Sequence, residues 1–258
     1  TFNNTVIVKV GGEQGLRADL FRLQSDNRVM GEPTFTGINL EHISDLGTFA
    51  GLYLKTASDG DFANPVRDGQ TTVSGRYAGN AGIENLFLSS EVVRQLSGDD
   101  STVSHAGYLE AGWTFADAPW SPSLTYRFSS FDEHYDPLYY GFNRGFGTWF
   151  QGEVAANYAG PFSTNTDIHY VGLKAAAAEN FNLGLNHFSF SNHKNDAALG
   201  NMAAQELDLY AEYFPLENVL VSPLVGWFNP ETNAAGGGTQ LGDAHRSLYA
   251  QLMLMVFY

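Results

Sequence analysis

The chain ends on Leu248-Tyr-Ala-Gln-Leu-Met-Leu-Met-Val-Phe-Tyr258, which alternates with period two. Leu248, Ala250, Leu252, Leu254, Val256 and Tyr258 form an unbroken apolar row; Tyr249 and Gln251 stand opposite, although Met253, Met255 and Phe257 make that second row only partly polar. A soluble edge strand this apolar invites aggregation. In lipid the same strand must show hydrocarbon on one face, while its other face is free to be wet. The pattern therefore reads as the closing strand of a membrane-spanning β-barrel of the bacterial outer membrane.

Similar segments recur along the chain, separated by Gly, Asn, Asp and Pro. Thr5–Val10, Thr36–His42, Thr48–Thr56, Thr72–Ala78, Asn85–Gln95 and His105–Phe115 alternate, and so do Leu124–Phe128, Phe150–Tyr158, Phe181–Leu185 and Leu207–Tyr213. In the last of these, Leu207, Leu209, Ala211 and Tyr213 oppose Glu206, Asp208, Tyr210 and Glu212. Three carboxylates on one face cannot pack as a dry soluble core, because unpaired buried charge costs too much. They can line a water-filled lumen. With further strands near Leu16–Gln24, Asp167–Ala176 and Val219–Phe228, roughly 12–14 are expected, an even number being usual for a bacterial barrel. The fold class is thus all-β, a transmembrane antiparallel β-barrel forming one domain over residues 1–258. At that strand count the barrel is wider than the roughly 8-strand size that side chains fill.

Composition narrows the function. The 28 Asp and Glu against 13 Lys and Arg exclude nucleic acid held through phosphate contacts. No stretch is apolar for the roughly 18 residues a helical span needs. Cys is absent, which fits an exported chain, and no signal peptide stands at Thr1, as expected of a processed start. His105, His169, His187 and His193 lack metal-ligand spacing, so neither a metal nor another cofactor is expected. Trp113, Trp120, Trp149, Trp227 and Tyr258 suit interface girdles.

By parity the lumen face carries Lys55, Arg76, Arg127 and Lys174 against Glu41, Glu91, Glu110, Glu153, Glu206, Asp208 and Glu212, with Tyr53, Tyr108, Tyr170 and Tyr210 beside them. Opposite charges orient water and exclude apolar solutes, and tyrosines offer stacking surfaces for sugars. The same charges can instead pair across strands and stiffen the wall.

The segment Phe131-Asp-Glu-His-Tyr-Asp-Pro-Leu-Tyr-Tyr-Gly-Phe-Asn-Arg-Gly-Phe-Gly-Thr-Trp-Phe-Gln-Gly-Glu153 resembles the alginate-export family of outer-membrane barrels, where an acidic loop leads into a Gly-Thr-Trp-x-Gln-Gly-Glu strand. His169–Lys174, Phe181–Leu185 and Glu206–Tyr213 continue the likeness over roughly Ser121–Tyr258. The resemblance implies a pore for an acidic polysaccharide or related hydrophilic solute. Asp136, Pro137, Tyr139 and Arg144 would belong to a loop reaching over or into it, the Phe131–Gly147 segment forming a constriction. Trp149, Gln151 and Glu153 would anchor the adjoining strand. The family's barrels are larger than this chain, which implies further N-terminal strands or a narrower pore. The acid-heavy face repels a polyanion, so a general or neutral-solute pore is the companion expectation.

Outer-membrane lipid and lipopolysaccharide are the expected surroundings. Two other classes stay open. One is a scaffold that sheathes a periplasmic or electron-transfer partner protein. The other is a lipid hydrolase built on His187 and Ser189, which share the face of Leu183 and Leu185.

Overall fold

The computed structural model describes residues 2–26, 32–57, 67–138, 151–158, 163–238 and 243–257. They form 13 strands in one antiparallel sheet ordered as in the sequence. The chain divides into two compact units, Thr1–Leu109 and Glu110–Tyr258. The first contains β1 (Phe2–Gly11), β2 (Gly15–Ser25), β3 (Thr34–Ser44), β4 (Gly47–Ala57), β5 (Thr71–Gly79) and β6 (Leu86–Leu96). Strand β7 (Val103–Thr114) spans the boundary. The second contains β8 (Ser123–Phe131), α1 (Glu153–Tyr158), β9 (Thr166–Ala178), β10 (Phe181–Asn192), β11 (Ala204–Leu216), β12 (Val219–Pro230) and β13 (Ser247–Val256).

Strands of 9 to 13 residues match the roughly 9–11 residues a tilted strand needs to cross a bilayer core. Within the second unit the ladder register aligns Leu124, Leu173, Leu185, Leu209, Val225 and Ala250 side by side across six strands. Leu124, Leu173, Leu185 and Leu209 are 39–49% exposed. A soluble protein that left such a row to water would forgo about 25 cal/mol for every Å² of apolar surface it failed to bury. Placed in lipid, the row costs nothing. Residues at the intervening positions of β11 face the other way: Glu206, Asp208 and Tyr210 are buried. The alternation of β13 persists to Val256, with Leu252 and Leu254 about 70% exposed (71% and 67%).

Two sequence expectations fail here. Of the expected strand Phe150–Tyr158, the described residues 151–158 form no strand. From Glu153 they form the helix α1, because β8 pairs directly with β9 and leaves no ladder edge between them. Neither Lys55 nor Tyr53 shares the face of Arg76. On β4 the buried side chains are Leu54 and Thr56, so Lys55 stands on the opposite, exposed face with Tyr53. The apolar Leu52 and Leu54 mimic a lipid-facing pair, yet the register sets Leu52 beside Asn39 and Ser74. The described strands number 13, within the expected range but odd.

From β8 onward, connections alternate between long and tight. Asp45-Leu46, Glu179-Asn180 and Glu217-Asn218 join successive strands by two residues each. The connections after β8, β10 and β12 are longer, and the one after β8 carries α1.

Candidate functional site

The second unit concentrates its polar chemistry under α1. On the covered face the ladder aligns Arg127, Tyr170, Phe188, Glu206 and Phe228, and in the next row Gly172, Asn186, Asp208, Gly226 and Tyr249. The backbone amides of Val154 and Ala155 donate to Glu206 Oε1 and Oε2 at 2.9 and 2.7 Å. A carboxylate there answers the unsatisfied amides and the positive end of the helix. Asp208 is fully buried two residues along on the same face.

Two glycines make this docking sterically possible. Gly152 has φ +95°, and a Cβ there would lie 2.8 Å from Glu206 Oε2. A side chain at Gly226 would meet both Asp208 Oδ1 and Val154 Cγ2 at 2.5 Å. Around them Val154, Ala155, Phe188, Phe228 and Leu224 are at most 2% exposed, so α1 sits on an apolar bed with a carboxylate at its head. Gln151, just ahead of the helix, is buried and accepts from Ser163 Oγ at 3.1 Å. Glu153, the first helical residue, is 3% exposed.

Arg127 lies beside this bed. Its guanidinium stacks on the Tyr170 ring at 4.7 Å and lies 3.9 Å from Glu110, both charged groups being almost wholly buried. Lower on the same face, Lys174 Nζ pairs with Glu212 at 2.6 Å and Asn182 donates to that carboxylate. Tyr210 is buried across from Gly184.

The segment carrying α1 is clamped at its neck. His193 lies between Asp132 (3.3 Å) and Asp167 (3.1 Å), and Ser130 Oγ donates to Asp167 at 2.5 Å. The Asn165 amide donates to the Asp132 carbonyl, and its side chain exchanges hydrogen bonds with the Lys194 backbone. Lys194 bonds Glu133 at 2.8 Å, and that hydrogen bond lowers the Glu133 carboxyl and raises the Lys194 ammonium. Asp136 follows, half-buried. Tyr139, Arg144 and Trp149 lie outside the described residues.

The first unit has its own charged row. Arg17, Glu41, Ala50, Arg76 and Glu91 are successive ladder neighbours. Ala50 is small enough for Arg76 to reach over it to Glu41 at 2.7 Å, while Arg17 takes the other oxygen at 2.5 Å and Asn39 donates as well. The arginine side chains keep 36% and 38% exposure. Tyr108 bonds Ser89 on the same face.

Sequence reasoning missed Arg17, Gly152 and Gly226, and it missed α1 as a helix. One signal was present: Leu220, Leu224 and Phe228 oppose Val221, Val225 and Trp227 on β12, and a strand apolar on both faces is one covered on both faces. For the hydrolase expectation, no hydrogen bond joins His187 to Ser189 among the described residues. Ser189 Oγ instead accepts from Gln205 at 2.8 Å.

No protein-family model matches the chain, and no curated protein sequence does. The alginate-export resemblance rests on its sequence motif. Solved structures that resemble the chain include the NanC porin, at 10% identity over 88% of this chain and 95% of that one with TM-score 0.40. OmpT of Vibrio cholerae, expressed in the outer membrane, is 11% identical over 96% and 79%, TM-score 0.48. OccK11 (OpdR) of Pseudomonas aeruginosa is 12% identical over 98% of this chain and 71% of its own, with TM-score 0.59. At that identity the OccK11 likeness establishes fold and nothing finer. The chain has the all-β fold of an outer-membrane β-barrel, a fold of the bacterial outer membrane.

Proposed function

We propose that the chain is an outer-membrane channel for hydrophilic solutes, and that α1 narrows it. One observation carries this: Glu206, Asp208 and Tyr210 share the face on which α1 sits, while Leu207 and Leu209 stand exposed on the other. A scaffold with no conduit gains nothing from turning carboxylates inward, since each buried one must be compensated. The wall is polar, its charges largely paired, and α1 occupies part of it. No covalent chemistry is required.

The finer proposal, taken from the motif, is an acidic polysaccharide as solute. Arg17, Arg76 and Lys174 support it, being lumen-side cations that keep side-chain surface. Arg127 does not, since Glu110 and Tyr170 hold it in a buried position. Planar-bilayer recording of the purified protein tests the first proposal: discrete conductance steps are expected, and insertion without steps would favour the sheathing scaffold. Arg76→Glu should weaken current block by oligouronates, and unchanged block would remove the acidic-sugar proposal.

A further inference from the structure

The exposed face of the second unit is not uniformly hydrocarbon. Two rungs toward the long connections from its leucine row, the ladder aligns Phe128, His169, Ser189, Gln205 and Asn229. The rung between them aligns Tyr126, Val171, His187, Leu207, Trp227 and Leu248. Where these rungs reach β12, a cleft of about 380 Å³ opens between His187, Gln205, Leu207, Trp227, Asn229 and Arg246. Glu206 also borders it, but that carboxylate is turned through the sheet to α1.

Each wall has distinct chemistry. Arg246 stands exposed at the top, ahead of β13, with no hydrogen bond or ion pair to a described residue. The neighbouring His245 is taken by Asp243 at 2.8 Å. The amides of Gln205 and Asn229 are directly opposed, and Gln205 is anchored by its bond to Ser189. Below them, Leu207 and Trp227 form an apolar floor that leads into the leucine row. A cation over two amides, above an indole at the edge of hydrocarbon, complements an anionic headgroup whose tails run down the wall.

We propose that this cleft binds one phosphorylated lipid of the surrounding leaflet, its phosphate on Arg246 with Gln205 and Asn229, its acyl chains along Leu207 and Trp227. The inference rests on the exposed face meeting lipid, as the channel proposal requires. A net charge of −15 would keep free anions away, whereas a lipid is brought to the cleft by its tails.

The test is native mass spectrometry of protein released from nanodiscs of zwitterionic lipid containing a minor share of phosphatidic acid. The parent should retain one phosphatidic acid in preference to zwitterionic lipid. Arg246→Gln should lower that retention about tenfold, the loss of a charge-assisted hydrogen bond, and Asn229→Ala less. Lys55→Gln removes an exposed cation elsewhere and should change nothing. Equal loss with Lys55→Gln would mean diffuse attraction and overturn the proposal, as would a parent that shows no preference. Bilayer conductance measured in parallel separates the levels: a conducting parent without lipid preference sinks the cleft alone, and a parent that never inserts sinks both.

Discussion

The two units treat charge differently on faces of the same sheet. In the first, Glu41 sits between Arg17 and Arg76, both of which keep more than a third of their side-chain surface. In the second, Glu110, Arg127, Glu206 and Asp208 are at most 3% exposed, and only the Lys174–Glu212 pair, away from α1, keeps comparable surface among the paired charges of its described strands. Identical residue types thus carry different energetic weight. A pair whose cation stays in water contributes about 0–1 kcal/mol, because water competes for that ion, here the arginines, Glu41 itself being only 9% exposed. A buried pair contributes little net, yet breaking it strands a charge without water, at roughly 3–5 kcal/mol. The open wall can change partners as solute passes; the covered wall holds one arrangement.

The largest expected effect lies where cover is complete. Arg127→Glu should set two carboxylates together in a dry site and lower unfolding stability by roughly 3–5 kcal/mol, read by urea titration in liposomes with Trp fluorescence. A change within that of a surface variant would show that water reaches the pair. Next, Glu206→Ala removes the acceptor of two helix amides and should cost about 1–3 kcal/mol, with new protease cleavage near α1. An α1 that stays protected would mean that the apolar bed, not the carboxylate, holds the segment.

Glu41→Gln should cost at most about 1 kcal/mol while shifting channel selectivity toward anions, since it removes the carboxylate that Arg17 and Arg76 share. A loss as large as that of Arg127→Glu would erase the contrast between the units. The smallest effect concerns the Ser97–Thr102 turn. Hydrogen bonds from the Ser97 and Ser101 hydroxyls, then from the Ser101 amide, lower the Asp99 carboxyl to about 2. Its folded value lies below the unfolded one, so the turn gains this stabilisation above about pH 4 and loses it as pH falls through the folded value. Hydrogen exchange at the Ser101 amide should therefore stay protected at mildly acidic pH and open only near pH 2; opening already at pH 4 would contradict it.

How much was legible in the sequence follows the same division. Most strands announce themselves through period two, while β2, β9 and β12 are legible only as further apolar segments near Leu16–Gln24, Asp167–Ala176 and Val219–Phe228, and the faces of Arg76, Glu110, Arg127, Lys174 and Glu206–Glu212 follow from parity. Lys55 fails because β4 carries apolar side chains on both rows, and only the register beside Asn39 and Ser74 chooses between them. α1 fails because Val154, Ala156 and Tyr158 alternate as a strand would. Its helical state is decided by the β8–β9 pairing and by the bed on β11 and β12, neither of which is local. Gly226 is silent as a letter; its meaning needs Asp208 and Val154 beside it.

The central claim is the alternation of β11. The natural chain has no cysteine, so single Cys substitutions from Glu206 to Tyr213 can each carry a spin label in a lipid bilayer. The account predicts accessibility to lipid-dissolved oxygen at Leu207, Leu209, Ala211 and Tyr213, with none at Glu206, Asp208, Tyr210 and Glu212. An accessibility profile without period two, or one with the opposite phase, would contradict it.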